Sequence, residues 1–215
     1  MPLLLCDLDD TLFDNAAAFD RWVHSFVEQH NCLEDLAELL SFSVAVRSEG
    51  RESQFLRMLT SRYDLGITLS EMTDLYYDQS IALLVCENQT KNSLRYLRDF
   101  GWQIAIVTNG GKYQEQKIHK TGLDSLVDAW CVSETEGTAK PDPQLLEIAA
   151  HRCGTELTDA WLIGDNPATD IVAAHRSGIR SVWIRHGRRW TETDFAPTLQ
   201  ADSFAGGVAD ILAMK

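Results

Sequence analysis

The stretch Leu3-Leu4-Leu5-Cys6-Asp7-Leu8-Asp9-Asp10-Thr11-Leu12-Phe13 decides the fold. A short apolar run bounded by polar residues reads as a buried strand. This one ends in a D-x-D pair followed by Thr11. Two carboxylates about 4 Å apart repel by about 4 kcal/mol at an effective dielectric near 20, so clustered acids at a strand end do not serve packing. A cation has to offset them, and a metal ion is the simplest one. In open α/β sheets ligands sit beyond the carboxyl ends of the strands, where these acids fall. Residues i and i+2 of an extended chain point the same way, so Asp7 and Asp9 can face one pocket. There, one ionised carboxylate can attack while the other carries a proton.

Downstream of this strand the pattern changes. Ala16–Gln29 places Phe19, Val23, Phe26 and Val27 at helical spacing. Leu33–Ala45, Glu52–Tyr63 and a segment from Ser70, as N-cap, to about Val85 also read as helices. No convincing strand interrupts this block. Its aromatics Phe19, Trp22, Phe26, Tyr76 and Tyr77 read as core, and Arg47, Arg51 and Arg57 as solvated helix charges that can meet an anionic group. From Lys91 onward helices and strands alternate. Strands are expected at Gln103–Thr108, Ala129–Val132, Trp161–Gly164 and Ser181–Ile184. Helices are expected at Lys91–Phe100, Tyr113–Lys120, from Asp142-Pro143 to Arg152, Thr169–Arg176 and Gly207–Met214. Such alternation implies right-handed βαβ units and a parallel sheet, with the loops after the strands along one edge. The fold class is therefore α/β: a Rossmann-like parallel-sheet core, residues 1–14 and 89–215, with an all-helical domain, residues 15–88, inserted after the first strand.

Three further signals fall at strand ends. Thr108-Asn109-Gly110-Gly111 follows the second strand; a hydroxyl and a glycine-softened turn can aim donors at a phosphate. Lys140, in Ala139-Lys140-Pro141-Asp142-Pro143, precedes a helix and can reach an anion at the sheet edge. Gly164-Asp165-Asn166-Pro167-Ala168-Thr169-Asp170 follows another strand, and oxygen-only acids there suit Mg²⁺. Each has a plainer reading alone: turn or capping aspartates, an Asn-Gly turn, a solvent-facing lysine, a helix N-cap cluster. Together, in order, each at a strand end, they point to one site.

Composition narrows the function classes. A formal net charge of −13 disfavours nucleic-acid binding, which draws on phosphate neutralisation. One basic island, Arg185, His186, Arg188 and Arg189 beside Trp190, reads as a solvated loop or an anion holder. No apolar run is long enough for a membrane span, and no basic n-region precedes an apolar h-region at the start. Five scattered cysteines without a C-x-x-C suit a reducing cytoplasm. No coiled-coil heptads appear, and a monomer or homodimer is expected.

The ordered set of signals resembles the haloacid dehalogenase-like hydrolase superfamily, in its phosphatase branch with a helical cap. Asp7-x-Asp9-x-Thr11 looks like its first motif, Thr108 its second, Lys140 its third, and Gly164-Asp165 with Asp170 its fourth. The resemblance runs over the whole chain. It implies that Asp7 is the nucleophile, forming an aspartyl-phosphate, and that Asp9 protonates the leaving oxygen and then activates water. It implies that Mg²⁺ is held by the Asp7 carboxylate, the Asp9 backbone carbonyl and Asp165, with Asp170 supporting the metal or orienting Lys140. Thr108, the Asn109–Gly110 turn and Lys140 would hold the phosphoryl oxygens of a small phosphorylated metabolite, such as a sugar phosphate or nucleotide. Relatives that cleave carbon–halogen bonds lack the second acid, so Asp9 favours a phosphate monoester. A phosphomutase or phosphotransferase, a haloacid dehalogenase, and a non-catalytic phosphometabolite-binding protein on the same scaffold are the alternatives.

Overall fold

The computed structural model describes residues 1–48 and 52–214. They divide into two compact units: Met1–Phe13 with Cys86–Lys215, and Asp14–Val85. Arg51 and the side chain of Arg47 lie outside the described residues; Arg57 is exposed.

The first unit is a parallel sheet with strands β1 (Leu3–Cys6), β2 (Gln103–Thr108), β3 (Ala129–Val132), β4 (Trp161–Gly164), β5 (Arg180–Ile184) and β6 (Leu199–Ala201). Their spatial order is β3-β2-β1-β4-β5-β6. β1 is thus central, paired with β2 on one side and β4 on the other, with Cys6 in register with both Ile106 and Ile163. The order reverses beside β1, a topological switch point of the kind that binds ligands in open α/β sheets. β1 is buried along its whole length, which is why it reads as an uninterrupted apolar run rather than an alternating one. Leu3 and Leu5 share a core cluster with Leu145, Leu146 and Ala149. By the two-residue period of a strand, Leu4 and Cys6 face the opposite side of the sheet.

The strand ends are reached through helices α5 (Asn88–Asp99), α6 (Lys112–Thr121), α7 (Ser133–Glu136), α8 (Gln144–Arg152), α9 (Val172–Arg176) and α10 (Phe204–Ala213). Three expectations shift here. α5 starts at Asn88 rather than Lys91. The last helix starts at Phe204, because the Ser203 side chain accepts from the Gly206 amide as N-cap. The segment before α9 is a π-turn, Pro167–Ile171, opened by Asn166, whose side chain accepts from the Ala168 and Thr169 amides. β6 was not expected: three residues with an exposed Gln200 carry no strand periodicity, and only pairing with β5 defines it.

The second unit contains α1 (Asn15–Gln29), α2 (Leu36–Ser48), α3 (Glu52–Arg62) and α4 (Leu69–Ala82). Its core joins Phe19, Trp22, Phe26, Leu39, Phe55, Leu59, Met72 and Tyr76. Trp22 and Tyr76 meet edge to face with centroids 4.9 Å apart, and the Trp22 indole N–H donates to Gln79 Oε1 at 2.9 Å. These aromatics are core, as their spacing suggests. The N-cap of α4 is Thr68, not Ser70. Thr68 Oγ1 accepts from the Glu71 amide and the Glu71 carboxylate accepts from the Thr68 amide, a reciprocal pair that Ser70, with Thr73 three residues on, cannot make. Thr68→Ala is expected to cost about 1 kcal/mol. In thermal unfolding that is a fall of about 2–4 °C in Tm. An unchanged Tm would show that this cap contributes nothing to stability.

Candidate active site

The site lies where β1, β2 and β4 end. The Asp7 amide donates to the Ile163 carbonyl at 2.9 Å, carrying the β1–β4 ladder one residue past the strand. That anchors Asp7 opposite β4, whose end, Gly164, leads into Asp165. Carboxylate oxygens of Asp7, Asp165 and Asp170 lie within 4.8 Å of one another. Lys140 Nζ sits between two of them, 2.6 Å from Asp7 Oδ1 and 2.7 Å from Asp170 Oδ1. Its side chain is 1% exposed. The second oxygen of Asp170 accepts from the Asn166 amide at 3.0 Å, and Asp7 Oδ2 accepts from Thr11 Oγ1 at 3.2 Å. Gly164 makes room for this: a Cβ there would lie 2.3 Å from Asp170 Oδ2.

The electrostatics are unbalanced. Burial, reinforced by Asp170 and Asp165 against the opposing pull of Lys140, pushes the Asp7 carboxyl up to about 8. Burial likewise pushes Asp165 up to about 7, with Asp170 and Asp10 adding to it. Lys140 is raised: burial alone would lower it, but the Asp170 and Asp7 carboxylates outweigh that. Three carboxylates facing the Lys140 ammonium and the Arg188 guanidinium still leave excess negative charge once ionised, and all the available ligand atoms are oxygens. A hard divalent cation fits this donor set, and Mg²⁺, which binds through one or two carboxylates and keeps its waters, fits it well.

The second signal arrives beside the first. Thr108 ends β2 and is almost fully buried. The Asn109 side chain hooks the Lys140 backbone in both directions: Nδ2 donates to the Lys140 carbonyl at 2.8 Å, and the Lys140 amide donates to Oδ1 at 2.9 Å. This pins the loop that delivers Lys140. The Gly110 amide, expected to face a phosphate, instead donates to Ser133 Oγ at 2.9 Å. The turn packs against the residues after β3, so that amide is spent on the scaffold.

The Asp9 carboxylate is not one of the three in the Asp7, Asp165 and Asp170 group. β1 ends at Cys6, and Asp9 lies beyond it, in an isolated bridge with Phe13. The Asp9 carboxylate is held by α6. Lys117 Nζ lies 2.8 and 2.9 Å from its two oxygens, and Gln114 Nε2 donates to Oδ2 at 2.7 Å. Neither Gln114 nor Lys117 was singled out in the sequence. The signal is there: Gln114, Lys117, Ile118 and Thr121 form the buried face of α6, so two of its inward positions are a long amide and a lysine.

The basic island is an exposed loop after β5, with several of its side chains engaged. Arg188 Nη2 donates to the Asp165 carbonyl at 2.7 Å and to its carboxylate at 3.1 Å, and its guanidinium lies over the Trp183 ring. His186 Nε2 is 2.6 Å from the Asp10 carbonyl. Arg185 pairs with Asp202.

Among the described residues, no helix is long and apolar enough to cross a membrane. The five cysteines are buried and unpaired. Residues 4–184 match the family model described as haloacid dehalogenase-like hydrolase, and the chain belongs to that family. It is 24% identical over 197 residues to the glyceraldehyde 3-phosphate phosphatase of Pyrococcus abyssi, covering 87% of this chain and 83% of that one. It is 33% identical over 101 residues to the phosphoserine phosphatase of Thermus thermophilus, covering 46% of this chain and 41% of that protein. The fold is similar to that of the HAD-hydrolase YfnB of Bacillus subtilis, crystallised bound to magnesium: TM-score 0.77, 19% identity, 99% of this chain and 97% of that one.

Proposed function

We propose that this haloacid dehalogenase-like hydrolase is a Mg²⁺-dependent phosphatase acting on a small phosphate monoester through an aspartyl-phosphate. The observation that carries this reading is the convergence of Asp7, Asp165 and Asp170 on one point with Lys140 between them, at the ends of the central strands. Phosphoryl transfer spreads charge over equatorial oxygens, so its catalysis is mostly positioning and electrostatics. An excess of buried carboxylate is useful there only once a cation neutralises it.

Asp7, Asp165 and Asp170, with the Asp9 backbone carbonyl, are the residues we assign to the metal. When bound, Mg²⁺ supplies positive charge that lets an anionic carboxylate approach an anionic phosphate. The Asp7 carboxylate attacks phosphorus, and the bond to the leaving oxygen breaks as Asp9 gives that oxygen a proton. Water then attacks phosphorus, Asp9 takes its proton, and the bond to Asp7 breaks. Lys140 has three donors, of which Asp7 and Asp170 take two; the third is available to a phosphoryl oxygen. Thr108 and the Asn109 backbone amide complete that cradle. We assign the helical unit Asp14–Val85, inserted between the first and second signals, as the cap that selects the substrate. Buried, unpaired thiols suit the cytoplasm to which we assign the enzyme.

Relatives named for glyceraldehyde 3-phosphate and phosphoserine support a small phosphorylated metabolite as substrate. The test is a panel of sugar phosphates, nucleotides and phospho-acids ranked by kcat/KM, with Mg²⁺ and with EDTA. Hydrolysis in Mg²⁺ that EDTA abolishes and Mg²⁺ restores is expected. Metal-independent hydrolysis, or transfer to a second sugar phosphate in preference to water, would contradict it.

A further inference from the structure

Two side chains on the buried face of α6 converge on Asp9. Lys117 Nζ contacts both oxygens of its carboxylate. Gln114 Nε2 reaches Asp9 Oδ2 at 2.7 Å and Thr108 Oγ1 at 2.7 Å. A carboxylate only accepts, so the amide nitrogen, not its oxygen, must face Asp9. Both of its N–H groups are then spent, one on Asp9 and one on Thr108. The Thr108 hydroxyl, accepting from Gln114, donates its own proton to the Asn109 carbonyl at 3.4 Å. Gly110 fits the same design. A Cβ there would lie 2.8 Å from Gln114 Cγ, and its φ of +143° disfavours any side chain. The turn after β2 is therefore shaped around Gln114. Lys117 is 6% exposed and Gln114 5%, so neither is a surface residue that happens to reach inward.

We propose that Gln114 and Lys117 are positioning residues that hold Asp9 for proton transfer to and from the reacting oxygens, and that Gln114 couples that acid to Thr108. This rests on the acid/base role proposed above for Asp9. Lys117 is distinct in place and task from Lys140: it holds the Asp9 carboxylate, whereas Lys140 lies between Asp7 and Asp170. Long lysine side chains seldom point inward from a helix unless a buried or half-buried anion meets them, and here the anion is the second acid of the D-x-D pair.

The test compares two substrates of similar shape, phenyl phosphate and p-nitrophenyl phosphate, by kcat/KM, which reports the step that expels the leaving oxygen. p-Nitrophenolate leaves readily without a proton; phenolate leaves poorly. Removing or misplacing a general acid, an effect of about 10²–10⁴-fold, therefore weighs on phenyl phosphate. Lys117→Met is expected to lose about tenfold more kcat/KM on phenyl phosphate than on p-nitrophenyl phosphate, in the direction of the Asp9→Asn loss and smaller than it. Lys117→Arg should recover part of the difference. Mg²⁺ affinity, read by thermal shift, should stay within about twofold. Gln114→Leu repeats the test should Lys117→Met not fold. If Asp9→Asn shows the leaving-group dependence but Lys117→Met and Gln114→Leu lose both substrates equally, the positioning role is overturned and the Asp9 reading stands. If Asp9→Asn shows none, the acid/base role itself fails and the holder falls with it.

Discussion

Asp7→Asn is expected to abolish turnover, by about 10⁴-fold or more, as loss of a catalytic nucleophile does elsewhere. The fold should survive. Asp7 is flanked by Asp165 and Asp170, and burial with those like charges raises its carboxyl to about 8 from an ordinary value near 3.8. Between those pH values the folded protein binds more protons at this position than the unfolded chain. Metal-free stability therefore falls as pH rises through that window, and the carboxylate is a net cost once ionised. The amide removes the titration and leaves Lys140 its contact with Asp170. In EDTA the variant should melt no lower than the parent, and its advantage should grow from acid to mildly alkaline pH. Circular dichroism melts across pH, beside steady-state rates, check both parts. A variant that keeps its activity would remove Asp7 from the chemistry; one that is inactive only because it is unfolded would leave the catalytic assignment without support.

Lys140→Met should produce the largest loss of stability. The ammonium lies 2.6 and 2.7 Å from two buried carboxylates, with 1% of its side chain exposed. Deleting one partner of a buried ionic group leaves uncompensated charge, worth about 3–5 kcal/mol. For a chain of this size that lowers Tm by about 10 °C. The loss should shrink as pH falls, because protonated carboxyls no longer need the ammonium. Added Mg²⁺ should recover part of it, since a divalent cation held by Asp7, Asp165 and Asp170 takes over the neutralisation. Activity should fall as well, through the missing phosphoryl contact. A Lys140→Met protein with parental Tm in EDTA at mildly alkaline pH would mean that this pair does not stabilise the fold.

Much of this architecture was legible in the chain because burial is total where it matters. Leu3–Cys6, Gln103–Thr108 and Trp161–Gly164 are nearly or wholly apolar and almost entirely buried, and a parallel strand covered on both faces writes itself as a continuous apolar run. Asp7 and Asp165 stand out because each directly follows such a run, whereas Lys140 lies in the loop beyond α7 and is marked by preceding a helix. What was not legible depends on partners distant in sequence. β6 exists through its pairing with β5, which three residues cannot announce. Thr68 rather than Ser70 caps α4 because Glu71 stands three residues after it. Strand geometry lets Asp7 and Asp9 face one pocket, but it gives no sign that α6, more than 100 positions on, holds the Asp9 carboxylate. Lys117 and Gln114 do not stand out in the chain because polar residues on a helix usually face water; only the register with Ile118 and Thr121 marks them as inward. The basic island was legible as charge but not as structure, because Arg188 finds Asp165 only after β4 and β5 lie side by side.

The most direct measurement is acid quench during turnover of p-nitrophenyl phosphate, followed by proteolysis and mass spectrometry of the peptides. The phosphoryl group is expected on the peptide carrying Asp7, localised to its carboxylate. A phosphoryl group trapped on any other residue would contradict attack by Asp7.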